Sequence, residues 1–391
     1  DPELRLTYRE MNQRANRLAN WLRDAAGVGK GDRVAILARD GVEHLDCFFA
    51  CGKLGAIHTA FNWRLHWREH MGIINNVRPT VLIYSDDFKE SVAEIAAGLT
   101  DSPHPIHHYL HIEGQGIAGS RHLDTVMNGS PVTPVVCETL DKEDTACLVF
   151  TGGTTGLPKG AMISHRMICW NAFNTVIHDL HHEDIYLCVF PLFHAGGLFA
   201  YLSSQIILGN TTVLMPQFDP QRVLELIERE RITVFAAVPT MYQMMTQASN
   251  WRTADLGSLR FCTSGGAPLS VPLIKHYSRE KGVRFKQGFG MTEFGPGLFA
   301  LSHEDAIRKA GSIGRPNFFV EARVVDKQNQ PLGAGSVGEL VLKGPSRCSG
   351  YFNDAQASAS FLDDGVWFHS GDLVYFDEEG YFYVTDRMKD M

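Results

Sequence analysis

No run of about 18 or more apolar residues occurs in the 391-residue chain, so nothing in it reads as a membrane-spanning helix. There is no basic excess either. Lys and Arg number 36 against 44 Asp and Glu, a formal charge of −8, which argues against a general nucleic-acid binder. None of the eight cysteines forms a Cys-x-x-Cys pair, and their scatter reads as a reduced, cytoplasmic protein. Gly-x-Ser-x-Gly is missing, so no nucleophile elbow is expected. Gly-x-x-x-x-Gly-Lys-Ser/Thr is missing too, so there is no Walker A loop. The opening residues DPELRLTYREMNQRANRLANWL are polar and amphipathic, unlike a signal peptide. The chain begins at Asp1 rather than Met and is read as lacking its natural start.

What is present is ordinary globular composition, 44% hydrophobic and 20% charged, which excludes disorder and suits two or three structural units. Apolar runs of strand length alternate with helical patterns. DRVAILA (32–38) and PTVLIYS (79–85) read as strands, and GVEHLDCFFACGKLG (41–55) and FKESVAEIAAGL (88–99) as helices. The alternation returns with strands at 185–191, 211–216, 232–239 and 258–265 and helices at 219–232 and 271–282. Continuous apolar strands between helices predict an α/β fold with two helix-flanked sheets. After about residue 310 the texture becomes strands joined by Gly, Pro and Asn turns, with a hairpin turning at Glu379–Gly380, so a small β-rich subdomain is expected over 310–386. Cys47 and Cys51, one helical turn apart, read as small apolar packing. The run HPIHHYLH (104–111) lacks carboxylate or cysteine company and lies in a segment, 100–120, that reads as a connection with room for one short strand rather than as a zinc site. HHED (181–184) reads as a solvated turn.

The chemistry concentrates in VFTGGTTGLPKGAMIS, 149–164. DTACLVF (144–150) before the loop and GAMIS after it read as strands, with Ser164 placed to cap the following helix. Glycines at 152, 153, 156 and 160 let backbone N–H groups approach a ligand closely. Thr151, Thr154 and Thr155 add hydroxyls, and Pro158 stiffens the turn that presents Lys159. Such a donor set fits a polyphosphate.

With TGGTTGLPKG at 151–160, the sequence resembles the adenylate-forming superfamily of acyl-CoA synthetases, peptide-synthetase adenylation domains and luciferases. The family usually has serine where this chain has Gly152, so one hydroxyl is lost here. PLFHAGGL (191–198), TSGGAPL (263–269), QGFGMTE (287–293), GELVLKGP (338–345), HSGD (369–372) and DRMKD (386–390) follow in the family's order. The resemblance covers essentially the whole chain. It implies a large N-terminal domain over 1–386, with α/β subdomains at about 1–165 and 166–309 and the β-rich one at 310–386. Residues 387–391 would be a hinge stub with the C-terminal lid domain absent. Lys389 would occupy the hinge and is not that lid's catalytic lysine.

The resemblance implies ATP, Mg²⁺ and coenzyme A as co-substrate. Nucleotide-binding residues would be Thr151, Gly152, Gly153, Thr154, Thr155, Gly156, Lys159, Gly265, Gly266, Ala267, Pro268, Gly288, Phe289, Gly290, Met291, Thr292, Asp372 and Arg387. Each has a physical sense. Glu293 offers the hard oxygen that suits Mg²⁺ held with phosphates, Thr292 a donor to the α-phosphate, and Phe289 an apolar face for adenine. Asp372 is able to accept from both ribose hydroxyls, and Arg387 to hold the ribose or phosphate side. Lys159, Thr292 and Glu293 are the expected catalytic residues, acting by positioning and charge neutralisation.

The expected reaction is attack of a carboxylate on the α-phosphate, giving acyl-adenylate and pyrophosphate, then transfer to the thiol with release of AMP. Without the lid domain, this chain alone is expected to perform it poorly. The acid pocket is assigned to His194, Val238, Tyr242, Gly265, Gly266, Gly290, Met291, Pro296 and Gly297. For His194 a core histidine is nearly as good a reading. The family's amino-acid branch has an aspartate after the aromatic in 191–198, but here Phe193-His194-Ala195 stands, which disfavours an amino acid. Small and apolar lining favours a hydrophobic acid, a fatty acid ahead of an aryl acid. An adenylation module, a luciferase-like enzyme and a non-catalytic nucleotide-binding protein stay open, as does a homodimer.

Overall fold

The computed structural model describes residues 4–152, 158–359, 361–363 and 365–387. They fall into two units: residues 1–165, 191–194 and 349–355, and residues 166–190, 195–348 and 356–391. Among the described residues no helix is long and apolar enough to cross a membrane.

The first unit is built on a seven-stranded sheet. Its strands are β1 (Arg33–Leu37), β2 (Ile57–Ala60), β3 (Val81–Tyr84), β4 (His108–His111), β5 (Arg121–His122), β6 (Thr145–Thr151) and β7 (Lys159–Ser164), in the order β5-β4-β3-β1-β2-β6-β7. All neighbours are parallel except β6 and β7. The period of two sorts each strand onto two faces. Val34 and Ile36 join the core under helices Tyr8–Asp24 and Val42–Leu54, while Ala35 and Leu37 join that under Trp67–Val77 and Lys89–Gly98. The first helix starts on a capping box, Thr7 with Glu10, and the second stops at Gly55 in the left-handed conformation, the usual chemistry at each end.

The second unit carries another seven-stranded sheet. It comprises β8 (Ile185–Cys188), β9 (Thr211–Leu214), β10 (Val234–Ala237), β11 (Phe261–Gly265), β12 (Phe285–Met291), β13 (Gly295–Leu301) and β14 (Arg315–Pro316), in the order β14-β13-β12-β11-β10-β8-β9. The β9 to β12 side is parallel, whereas β13 and β14 are antiparallel. Helices Pro220–Arg229, Pro239–Thr246 and Val271–Lys281 cover one face. An antiparallel sheet follows, of β15 (Glu321–Val325), β16 (Gly338–Lys343), β17 (Leu362–Asp363), β18 (Trp367–Phe376) and β19 (Phe382–Arg387). Two helix-flanked sheets and a small antiparallel one are the architecture expected from the sequence. The β18–β19 hairpin turns through Gly380, at φ +78°.

One expectation is corrected. The HHED turn is not wholly solvated, because Asp184 is 2% exposed. It accepts from Arg260 Nε and NH2 at 2.8 Å each and from the Thr233 hydroxyl at 2.7 Å. Burial would push its carboxyl up, but these partners and the His181 N–H outweigh that and hold it below the ordinary range.

Candidate active site

The glycine–threonine loop is closed at its base by the β6–β7 ladder, in which Thr151 pairs with Lys159 and Phe150 with Gly160. The two strands are forced together because both are apolar and buried, TACLVFT against KGAMIS. Thr151 Oγ1 donates to the Lys159 carbonyl at 3.5 Å. The expected ligands Gly153, Thr154, Thr155 and Gly156 lie outside the described residues. Gly152 is exposed, and a Cβ built on it would meet nothing within 4 Å.

Lys159 is 45% exposed, with Nζ 3.5 Å from Asp354 Oδ2 and 5.4 Å from the Tyr351 ring centre. Both partners arrive on segment 349–354, which pairs with β7: Met162 N–H donates to Gly350 O, Ser349 N–H to Met162 O and Phe352 N–H to Gly160 O. An exposed pair of this kind is worth about 1 kcal/mol or less, little against a polyphosphate. Tyr351 and Asp354 escaped sequence reasoning. They sit about 190 residues from the loop, and only the ladder shows their register.

In the second unit the ends of β11 and β12 carry the next residues. Gly265 pairs with Gly288, and Gly266 follows at φ +80°. Ala267 and Pro268 are exposed. Leu269 N–H donates to Gln287 Oε1 at 2.9 Å, and Gln287 is 5% exposed, so a buried amide ties this segment to β12. Phe289 is half-buried, its ring edge-on to Phe299 at 5.7 Å. Gly290 has no room for a side chain, since a Cβ would strike the backbone of Gly295 and Pro296. Met291 pairs with Gly295. Thr292 is 9% exposed; Glu293 is half-buried, and its carbonyl accepts from Cys348 N–H at 2.8 Å. A carboxylate and a hydroxyl on consecutive residues are hard oxygen donors, so the set fits Mg²⁺.

Of the pocket residues in this unit, Val238 Cγ1 stands 3.5 Å from where a Gly266 Cβ would be. Gly297 N–H donates to Asn171 Oδ1 at 3.0 Å, and Pro296 is half-buried beside it. Tyr242 is fully buried against Phe235, Tyr277 and Phe285. Its hydroxyl donates to Thr263 O at 2.8 Å; burial pushes its pKa up, and it stays protonated.

Asp372 lies on β18 and is 4% exposed. Its ladder partner on β19 is Arg387, whose side chain is outside the description. The HSGD turn is held by Glu339 of the GELVLKGP motif: Oε1 accepts from Gly371 N–H at 3.0 Å and Oε2 meets His369 Nδ1 at 2.8 Å.

His194 belongs to the first unit, in a turn closed by its own N–H on Pro191 O at 3.0 Å. It is exposed, and its pKa is lowered by partial desolvation and then by the Arg64 charge. The turn is anchored by a residue absent from the sequence reading. Asp40, 6% exposed, accepts from Leu192 N–H at 2.8 Å. Burial drives its carboxyl up to about 7 against the opposing pull of Leu192 N–H and Arg64. The Arg64 guanidinium lies 4.7 Å from the Trp63 ring centre and 5.6 Å from that of Phe193. No sequence motif marks Asp40, which follows β1 and looks like an ordinary turn aspartate.

Cys47 and Cys51 are fully buried in the core, as their packing role requires. His58, equally buried, stands 3.4 Å from Cys47 Sγ. The hydrogen-bonded Cys51 thiol and, after it, burial push the Cys47 thiol up.

Helix-flanked parallel sheets with glycine-rich turns at their strand ends, and a closed hairpin ending in Thr151 and Lys159, place the chain among α/β proteins of the kind that include nucleotide-using enzymes. The family described as AMP-binding enzyme matches residues 1–352, and this chain belongs to it. It is an enzyme of the acid–thiol ligase class. It is 40% identical over 387 residues to a feruloyl-CoA synthase of Amycolatopsis sp, covering 99% of this chain and 74% of the relative. It is 36% identical to an indoleacetate–CoA ligase of Aromatoleum aromaticum, covering 100% and 75%. The long-chain-fatty-acid–CoA ligase FadD13 of Mycobacterium tuberculosis is 34% identical, again over 100% and 75%. Among solved structures, the inhibitor-bound N-terminal domain of FACL13 from Mycobacterium tuberculosis superposes with a TM-score of 0.90 at 32% identity, covering 98% of this chain and 93% of that one.

Proposed function

We propose that this protein activates an aromatic carboxylic acid with ATP and passes the acyl group to coenzyme A. A carboxylate oxygen attacks the α-phosphorus, the bond to the β-phosphate oxygen breaks and pyrophosphate leaves. The thiol sulfur then attacks the acyl carbonyl, the bond to AMP breaks, AMP departs and the thiol proton passes to solvent. The observation that carries the reading is the polyphosphate-type loop on the Thr151–Lys159 pair, in a chain that aligns end to end with acid–CoA ligases.

In this reading Lys159, the loop amides and the threonine hydroxyls neutralise the phosphates. Glu293 would hold Mg²⁺, which when bound would supply charge neutralisation for the departing pyrophosphate. Thr292 donates to the α-phosphate, Phe289 packs on adenine, and Asp372 accepts from the ribose hydroxyls. Residues 265–268 and 288–291 lie along the adenine and the acyl group, and Arg387 serves the ribose or phosphate side. In the second unit Val238, Pro296 and Gly297 would line the acid pocket. Tyr242 shapes it from behind.

An aromatic acid is placed ahead of a fatty acid because the relatives at 40% and 36% identity are named for aryl substrates, and the fatty-acid ligase stands at 34%. ATP–pyrophosphate exchange with ferulate, indoleacetate and palmitate tests the choice. Exchange is expected with at least one aromatic acid at ten times the palmitate rate or more. Palmitate exchanging faster than both would overturn the aromatic assignment. Exchange with none, together with no binding of Mg-ATP in an equilibrium titration, would overturn the activation itself.

A further inference from the structure

We propose that Glu339 is the positioning residue of the ribose site: its carboxylate holds the Ser370–Asp372 bulge in the shape that presents Asp372 to the ribose hydroxyls. The inference rests on the ribose role given to Asp372 above and assigns the device that sets it.

The register of β16 against β18 shows the feature. Gly338 pairs with Val374 and Glu339 with Leu373; then Val341 pairs with His369 and Leu342 with Phe368. Leu340 alone therefore stands opposite Ser370, Gly371 and Asp372. The ladder is regular on both sides of this point, so sheet continuity does not call for the extra residues. What they accomplish is to push three residues out of line. Bulges that re-aim a side chain beside a ligand site are a recurrent use of such irregularities.

The bulge has a specific lock. One carboxylate bridges two groups two residues apart, with Oε1 on Gly371 N–H at 3.0 Å and Oε2 on His369 Nδ1 at 2.8 Å. Gly371 stands at φ +73°, a conformation that other residues rarely adopt. The Ser370 hydroxyl donates to Leu340 O at 2.7 Å and accepts from Asp372 N–H at 3.1 Å. Each residue of the bulge is thus tied to the Glu339–Leu340 stretch, directly or through Ser370. Asp372 is 4% exposed and its backbone also pairs with Arg387 on β19, so bulge and ladder together set where its side chain starts.

Equilibrium titration of the full chain with Mg²⁺ and either ATP or 2′,3′-dideoxy-ATP separates this role from a purely structural one. A merely destabilised protein loses both ligands in proportion, whereas a misplaced Asp372 loses the discrimination between them. The unaltered chain is expected to prefer ATP by about tenfold or more, the worth of hydrogen bonds to a charged acceptor. Asp372→Ala and Glu339→Ala should both bring the ratio to within twofold of one. Glu339→Gln keeps an oxygen for Gly371 N–H and should retain a ratio within threefold of the original. An unchanged ratio in Glu339→Ala alongside a collapsed one in Asp372→Ala would overturn the clamp and leave the ribose reading standing. No discrimination in the unaltered chain would overturn both. Should Glu339→Ala fail to give a cooperative thermal transition, Glu339→Gln with His369→Phe carries the test. The first must keep the ratio and the second must lower it, and the opposite pattern refutes the clamp.

Discussion

Asp40 gives the sharpest quantitative expectation. A carboxyl that is 6% exposed and raised to about 7 holds its proton more tightly in the folded chain than in the unfolded one, where about 3.9 applies. Between those values the folded state binds more protons, so stability falls as pH rises through the window and levels off above 7. The gap of about 3 pKa units corresponds to an upper bound of about 4 kcal/mol. Asp40→Asn keeps an acceptor for Leu192 N–H and has no charge to desolvate. It should therefore be more stable than the parent at pH 8.5, by about 1–3 kcal/mol once relaxation is allowed for, with the difference shrinking toward pH 4.5. Urea midpoints of the unit reported by Trp63 fluorescence, measured in a background where the other tryptophans are replaced by Phe, give the comparison. A pH-independent difference would refute the reasoning. So would a parent more stable than the variant at pH 8.5, because Leu192 N–H and Arg64 would then outweigh burial.

Other expectations follow from equally local features. Gly152→Ser restores the hydroxyl usual in the family at a position with nothing within 4 Å of the new Cβ. It should tighten ATP about two- to tenfold, the worth of one hydrogen bond, and weaker binding measured by titration would count against the loop's role. Arg260→Ala leaves the Asp184 carboxylate, 2% exposed, without its main partner, and should cost about 2–4 kcal/mol in denaturant unfolding at pH 7. Asp184 is depressed, so the pair's contribution is present at neutral pH and fades as pH falls below about 4. The loss in Arg260→Ala should shrink accordingly in acid. Gly290→Ala should abolish ATP–pyrophosphate exchange, since no Cβ fits against Gly295 and Pro296; full activity would show that the β12–β13 turn is free to move.

Much of the fold was legible because buried parallel strands write themselves as short apolar runs between helices. Each expected strand at 32–38, 79–85, 185–191, 211–216, 232–239 and 258–265 contains an observed one. The antiparallel end of each sheet was less legible, since pairing partners such as β13 and β14 are set by register and not by local pattern. Asp184 was misjudged because its partners, Thr233 and Arg260, lie 49 and 76 residues away in sequence. Asp40 was missed for the same reason: its meaning depends on Leu192, 152 residues on. Glu339 appeared within a motif, but its bond to the HSGD turn needs the bulge to be seen. Motif residues announce themselves by type and order, while those that hold them in place are identified only by geometry.

Lys159 and its hairpin are assigned the grip on the triphosphate of ATP, the interaction on which every later step of the proposed reaction depends. Parallel titrations of the chain and of Lys159→Ala with Mg-ATP and with AMP address this directly. Loss of a charge-assisted phosphate contact should weaken ATP by about ten- to a hundredfold and leave AMP within threefold. Equal ATP affinity in the two proteins would contradict it.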